Sequence, residues 1–242
     1  MRNLGSNTRI NTIFFDVGRT LLRPSLSEGL VFSEEAARFG VALDPEMVSQ
    51  NIPRMYEFYE QMYQQDESFW ADEGRALAVW TKMYEFLCSL AGVEVVHHAA
   101  IAQNVHRRYF SAESWEAYDD VVPVLEKLQY RGYRMGVISN WDSTLEGIIE
   151  GLSLAPFFEL VISSTVAQLH KPMPEIFCLA LERMGVSSSQ AMHVGDHPSA
   201  DVEGARAAGM TPVLIDRRGA THSDLEQNTI VISSLFELLD YL

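Results

Sequence analysis

The chain has 242 residues, 47% of them hydrophobic, which is ample for a packed core and excludes a disordered chain. Its 33 acidic and 18 basic residues leave a formal charge of −15, so neither nucleic acid nor an anionic membrane is an expected partner, because both are met by basic surfaces. The two cysteines, Cys88 and Cys178, lie far apart without metal-ligand spacing and read as buried free thiols of a reducing compartment. Residues 1–10 are polar, and no run approaches the roughly 18 apolar residues of a membrane span. The expectation is a soluble, cytoplasmic protein.

Residues 12–17 form a short apolar and aromatic run ending in Asp16-Val17-Gly18, the pattern of a buried strand entering a turn. Residues 22–115 then show one helix signal after another and no convincing strand. Asp44-Pro45-Glu46 reads as an N-cap followed by proline at the first helical position, and Pro53 should break or kink any helix around it. Leu77, Trp80, Tyr84 and Leu87 share one helix face that ends near Gly92. Tyr56, Tyr59 and Tyr63 recur at helical spacing and read as core or surface of this block, while the neighbours His97 and His98 diverge on a helix and do not form a chelate.

Further apolar runs follow at 134–139, 158–163, 191–195, 211–216 and 229–233. Helical patterns separate them at 120–130, 174–184 and 199–208, stopping at Gly132, Gly185 and Gly209. Strands alternating with helices predict βαβ units with right-handed crossovers. The expected fold is α/β: a Rossmann-like parallel sheet core from residues 1–21 and 116–242, centred on the first strand, with an inserted all-helical domain at 22–115.

In an open parallel sheet, functional residues gather at the carboxyl ends of the strands. There the sequence places Asp16, then Ser139 and Asn140, then Asp196 with Asp201 close behind, and Lys171 comes from the loop after the third run. A nucleophilic carboxylate, a hydroxyl, an ammonium and an acidic pair are the groups that metal-assisted phosphoryl transfer requires. Singly, each reads as a turn, cap or surface-loop residue; at positions set first by the strand pattern, they point jointly to one site. His197, beside Asp196, reads as a solvated loop histidine, with contact to the surroundings of a metal as the alternative.

Asp16-Val17-Gly18-Arg19-Thr20-Leu21, Ser139-Asn140, Lys171-Pro172 and Gly195-Asp196-(x4)-Asp201 resemble, in order and spacing, the four motifs of the haloacid dehalogenase-like (HAD) superfamily. The helical insert resembles that family's C1-type cap. The resemblance implies a hydrolase with Asp16 as nucleophile and Mg²⁺ held by Asp16, Asp196 and the backbone carbonyl of Gly18. It places Asp201 behind these ligands or against Lys171, and a small phosphorylated substrate against Ser139, Asn140 and Lys171. It also implies a cap that closes over the site and selects the substrate.

Two positions depart from the pattern. Gly18 stands where phosphatases of the family usually carry a second aspartate as general acid and base, a loss that typically costs about 10²–10⁴ in rate and weighs most on poor leaving groups. Arg19 stands where glycine is common; it reads as solvent-facing, with contact to the substrate as the alternative. Other branches also lack the second aspartate. A 2-haloacid dehalogenase would use Asp16 on carbon without metal, but such enzymes lack the acidic pair kept here as Asp196 and Asp201. A phosphonoacetaldehyde hydrolase needs a cap lysine, and the one available, Lys82, reads as a solvated helix residue. A non-catalytic binding protein of the same fold is the alternative outside enzymes.

Overall fold

The computed structural model describes residues 9–219 and 229–242, so most of the expectation for residues 1–10 lies outside the described residues. Among the described residues no helix is long and apolar enough to cross a membrane. The chain divides into two compact units, Met1–Arg23 with Ala117–Leu242, and Pro24–Glu116. The sequence placed these divisions after Leu21 and before Glu116.

The strands in chain order are β1 (Thr12–Phe15), β2 (Leu22–Pro24), β3 (Trp115–Ala117), β4 (Arg134–Ser139), β5 (Leu160–Ser163), β6 (Ala191–Gly195), β7 (Thr211–Ile215) and β8 (Ile230–Ile232). Six of them form one sheet in the order β5-β4-β1-β6-β7-β8, with every adjacent pair parallel. β2 and β3 pair with each other. They correct the expectation of no strand between 22 and 115: three residues are too few for an alternating pattern to register.

All four residues of β1 are buried, as a strand flanked on both edges and covered on both faces requires. Phe15 pairs with Val137 of β4 and Val194 of β6. That register aligns the carboxyl ends of three neighbouring strands and brings the residues that follow them to one edge of the sheet. The helix Val121–Tyr130 buries Val121, Val124, Leu125 and Leu128, and Gly132, at φ +81°, turns the chain out of it into β4. Pro174–Met184 buries Ile176, Phe177, Ala180, Leu181 and Met184.

The single helix expected at 199–208 is instead a wider π turn, Pro198–Glu203, that runs into Gly204–Ala207. The His197 carbonyl accepts from the N–H of both Asp201 (2.9 Å) and Val202 (3.4 Å), which opens the turn by one residue.

A polar clamp ties the ends of this unit together. The Asp120 carboxylate accepts from Arg217 Nη1 and Nη2 (3.0 and 2.9 Å), Ser234 Oγ (2.7 Å) and the Leu235 N–H (2.8 Å). Arg217 also donates through Nε and Nη2 to the Thr20 carbonyl (3.1 and 2.7 Å) and lies 3.9 Å over the Tyr118 ring. Burial pushes the Asp120 carboxyl up, but the donors from Arg217, Ser234 and Leu235 outweigh it and hold it below the ordinary carboxylate range.

The unit Pro24–Glu116 is built from the helices Glu28–Ala37, Pro45–Ser49, Ile52–Gln65, Glu73–Leu90 and Val95–Arg108. Its core includes Val31, Phe32, Met55, Met83, Leu87, Ile101 and Val105. Asp44 caps Pro45–Ser49 as expected, its Oδ1 accepting from the Glu46 N–H at 3.0 Å. Pro53 is a correction: it lies in the first turn of Ile52–Gln65, where its missing N–H costs nothing, and starts that helix without breaking it. Leu77 is 42% exposed and does not share the buried face of Tyr84 and Leu87. Tyr63 is buried, and Tyr59 stacks on Trp80 and accepts from Trp70 Nε1 at 3.0 Å, so the tyrosine stripe is core material. Of the cysteines, Cys88 is buried, with its thiol pushed up to about 12 by burial, while Cys178 is exposed. The expectation of two buried thiols is corrected at Cys178.

Replacing Asp120 with Ala should cost about 2–4 kcal/mol in urea unfolding, because it leaves Arg217 without its carboxylate. The sign with pH follows from the lowered carboxyl. In the wild type this stability is present above the ordinary carboxylate pKa and is lost as pH falls through the lower folded-state value; Asp120→Ala should therefore lack that part of the acid-limb slope.

Candidate active site

The loop after β1 is closed by its own backbone. The Val17 carbonyl accepts from the N–H groups of Thr20 (3.3 Å), Leu21 and Leu22 (both 2.9 Å), and the Arg19 N–H returns to the Leu22 carbonyl at 2.8 Å. This winding forces φ to +57° at Arg19, a conformation costing a side-chain-bearing residue roughly 1–2 kcal/mol. The Asp16 N–H donates to the Val194 carbonyl of β6 at 2.9 Å, so the first residue of the loop is still registered on the sheet.

Asp16 Oδ1 accepts from Lys171 Nζ at 2.7 Å and from Ser139 Oγ at 2.9 Å. Lys171 is 2% exposed, and its ammonium is shared with Asp201 Oδ1 at 2.5 Å. Burial alone would push Lys171 down; the Asp16 and Asp201 carboxylates overcome it and hold the amine above its ordinary value, so it is charged. The Lys171 backbone is fixed by Asn140, whose Oδ1 accepts its N–H (2.8 Å) and whose Nδ2 donates to its carbonyl (3.0 Å). The Lys171–Pro172 peptide is cis.

Asp201 is held from behind. Its Oδ1 also lies 2.9 Å from His193 Nε2, and its Oδ2 accepts the His197 N–H at 2.9 Å. Burial opposes its ionisation, but Lys171 and His193 win and keep it well below the ordinary range. Gly195 is required by this packing, since a Cβ there would fall 2.1 Å from Asp201 Cγ.

Asp16, Asp196 and Asp201 each bring a carboxylate oxygen within 4.8 Å of the others. Burial, then the charges of Asp16 and Asp201, push the Asp196 carboxyl up to about 7, with Arg19 and His197 acting in the opposite direction. Both Asp201 oxygens are occupied by Lys171, His193 and the His197 N–H, which leaves Asp16 and Asp196 as the pair for a cation. A partly buried, all-oxygen acidic pair is the donor chemistry that suits Mg²⁺.

Gly18 shows no such structural demand. It lacks a positive φ, and among the described residues a Cβ there would meet Trp141 Cζ3 at 3.6 Å, an ordinary contact.

Of the residues expected in the site, Asp16, Ser139, Lys171 and Asp201 are in direct contact, and Asp196 completes the acidic cluster. The Asn140 side chain is a strut for the Lys171 backbone. Arg19 is half-buried with its charge felt at Asp196, which corrects the solvent-facing reading. His197 is likewise half-buried, and its Nδ1 accepts the Ala200 N–H at 3.1 Å as the cap of the π turn, so it is not a solvated loop residue. Lys82, in the helical unit, is exposed. The sequence reading missed His193. The signal available for it was one ionisable residue inside an apolar strand run, Ala191-Met192-His193-Val194-Gly195.

A family model described as haloacid dehalogenase-like hydrolase matches residues 10–209. The chain is 32% identical over 240 residues to haloacid dehalogenase-like hydrolase domain-containing protein 3 of Danio rerio, covering 95% of each. It is 33% identical over 160 residues to Phosphatase MT3486 of Mycobacterium tuberculosis, covering 64% of this chain and 70% of that protein. Among solved structures, the HAD-hydrolase YfnB of Bacillus subtilis, bound to magnesium, is similar at a TM-score of 0.81 and 22% identity, over 97% of this chain and 99% of its own. Similar folds occur among phosphatases and 2-haloacid dehalogenases alike.

A cation needs Asp196 ionised, so protons and metal should compete for it. Calorimetric titration with Mg²⁺ or Mn²⁺ should show affinity falling about tenfold per pH unit below pH 7 and levelling off above it, with Asp196→Asn losing binding throughout. An affinity independent of pH across this range would show that Asp196 is not a ligand.

Proposed function

Because the chain belongs to the haloacid dehalogenase-like hydrolases, as the match over residues 10–209 and the 32% identity across 95% of both chains establish, we propose that it is a Mg²⁺-dependent phosphatase acting on a small phosphorylated substrate through an aspartyl-phosphate at Asp16. What carries this proposal is the convergence of the Lys171 ammonium on Asp16 Oδ1 beside the Asp16–Asp196 pair. The phosphatase name of a relative 33% identical to this chain is in keeping with it.

Asp16 attacks phosphorus as the bond from phosphorus to the leaving-group oxygen breaks, and water then attacks the aspartyl-phosphate, releasing inorganic phosphate and restoring the Asp16 carboxylate, so one difficult hydrolysis is divided into two easier steps. Lys171 faces the transferring group as a point charge, and Ser139, whose hydroxyl already reaches Asp16 Oδ1, donates to its oxygens together with the Asn140 main-chain N–H. Asp16, Asp196 and the Gly18 carbonyl would hold Mg²⁺, whose charge would offset the repulsion between Asp16 and the phosphoryl anion. Asp201 acts through Lys171. With Gly18 in place of a carboxylic acid, no side chain at that position protonates the leaving group, and turnover follows how well the leaving group departs by itself. The retained Asp196 favours this chemistry over displacement of halide from carbon, which needs no cation. The Pro24–Glu116 unit corresponds to the family's helical cap, and the free thiols of Cys88 and Cys178 suit the reducing cytoplasm.

With p-nitrophenyl phosphate, turnover should require Mg²⁺ and fall at least about 10³-fold in Asp16→Asn. Gly18→Asp, whose Cβ would make only an ordinary contact, should raise the rate on alkyl phosphates by roughly 10–10²-fold and change it less on p-nitrophenyl phosphate. Turnover that survives Asp16→Asn, or metal-free chloride release from 2-chloropropionate, would overturn the assignment.

A further inference from the structure

His193 lies on β6 two residues before Gly195, on the same face of the strand, and is fully buried. Its Nε2 is 2.9 Å from Asp201 Oδ1, the oxygen that also takes the Lys171 ammonium. An ionised carboxylate only accepts hydrogen bonds, so Nε2 carries the hydrogen and Nδ1 presents a bare lone pair. Among the described residues that buried Nδ1 has no hydrogen-bond partner, and the ring packs edge-to-face with Phe177 at 5.1 Å between centroids. An apolar side chain would fill the same space without stranding a polar atom, so the benefit of histidine here must come from the Nε2–H. Burial also pushes the imidazole below its ordinary value, in keeping with a fixed neutral donor, because a second proton on Nδ1 would face no acceptor.

We propose that His193 is a positioning residue for Lys171: by donating to Asp201 Oδ1 it shares the charge of that carboxylate, so that the ammonium stays divided between Asp201 and Asp16. Without that donor, Asp201 Oδ1 has one partner fewer and draws Lys171 towards itself, away from Asp16 and the group being transferred. Nothing is asked of His193 as an acid or base, and it touches no reacting atom. The proposal rests on the phosphatase reading of Asp16 and Lys171.

Two variants separate the donor from the packing. His193→Gln keeps an N–H at the same reach, whereas His193→Leu keeps the volume and removes it. With p-nitrophenyl phosphate and Mg²⁺, His193→Leu should lower kcat by about 10–10²-fold with KM changed less than about twofold. His193→Gln should return kcat to within about threefold of wild type. Nitrogen NMR of the wild type should show a proton on Nε2 and none on Nδ1 between about pH 5.5 and 8.5. A wild-type kcat in His193→Leu, equal losses in both variants in step with a lower Tm, or a ring that titrates in this range would overturn the role of His193. Turnover indifferent to Asp16→Asn would instead overturn the phosphatase reading on which it rests.

Discussion

An ammonium group buried to 2% exposure is tolerable only if oxygen anions replace the water it has lost, and Lys171 obtains two, from Asp16 and Asp201. Much of the local architecture serves that arrangement. Asn140 fixes the Lys171 backbone through both atoms of its amide, and Gly195 leaves the space that Asp201 occupies. The parallel register of β4, β1 and β6 brings Ser139, at the end of β4, and the loops that carry Asp16 and Asp196 to one edge. Removing either carboxylate would leave a buried charge partly uncompensated, so the site is a unit in stability as well as in chemistry.

The charges do not balance within the cluster. Among the described residues Asp16, Asp196 and Asp201 lie around one buried ammonium, and the Asp196 carboxyl is pushed up to about 7, by burial first and then by the charges of Asp16 and Asp201. Asp201 escapes this fate because Lys171, His193 and the His197 N–H stabilise its ionised form. The three carboxylates therefore differ in state: Asp201 is restrained, Asp16 is in contact with Lys171, and Asp196 is the one whose ionisation is opposed. Gly18 and Arg19 vary the theme at the β1 loop. The first has no side chain where a Cβ would make only an ordinary contact, and the second accepts a left-handed backbone while setting a positive charge near Asp196.

Further from the chemistry, the Asp120–Arg217 pair ties the Thr20 carbonyl, and with it the loop bearing Asp16, to the C-terminal end of the same unit. The tightly wound loop gains a fixed position from such an anchor, because a hydrogen-bonded guanidinium in a partly buried setting resists displacement.

The sheet was legible in the sequence because its central strands are buried on both faces, and such strands read as unbroken apolar runs whatever surrounds them. The residues ending those runs were legible for the same reason: the carboxyl edge of a parallel sheet collects polar groups at predictable places, so Asp16, Ser139, Asn140, Asp196 and Asp201 could be named before any coordinate. Lys171 was legible by its spelling beside Pro172. The role of His193 was not, because a histidine in a strand is silent until one knows which helix covers that face and which carboxylate that helix carries. The π turn at Pro198–Glu203, the strut made by Asn140 and the left-handed Arg19 were hidden likewise, since each depends on hydrogen bonds between segments distant in the chain or on a loop wound back on itself. By itself the sequence determined the local periodicities and the inventory of reactive groups. Tertiary structure decided which of those groups share a proton or a charge, because such sharing depends on separations of about 3 Å that neither composition nor spacing encodes.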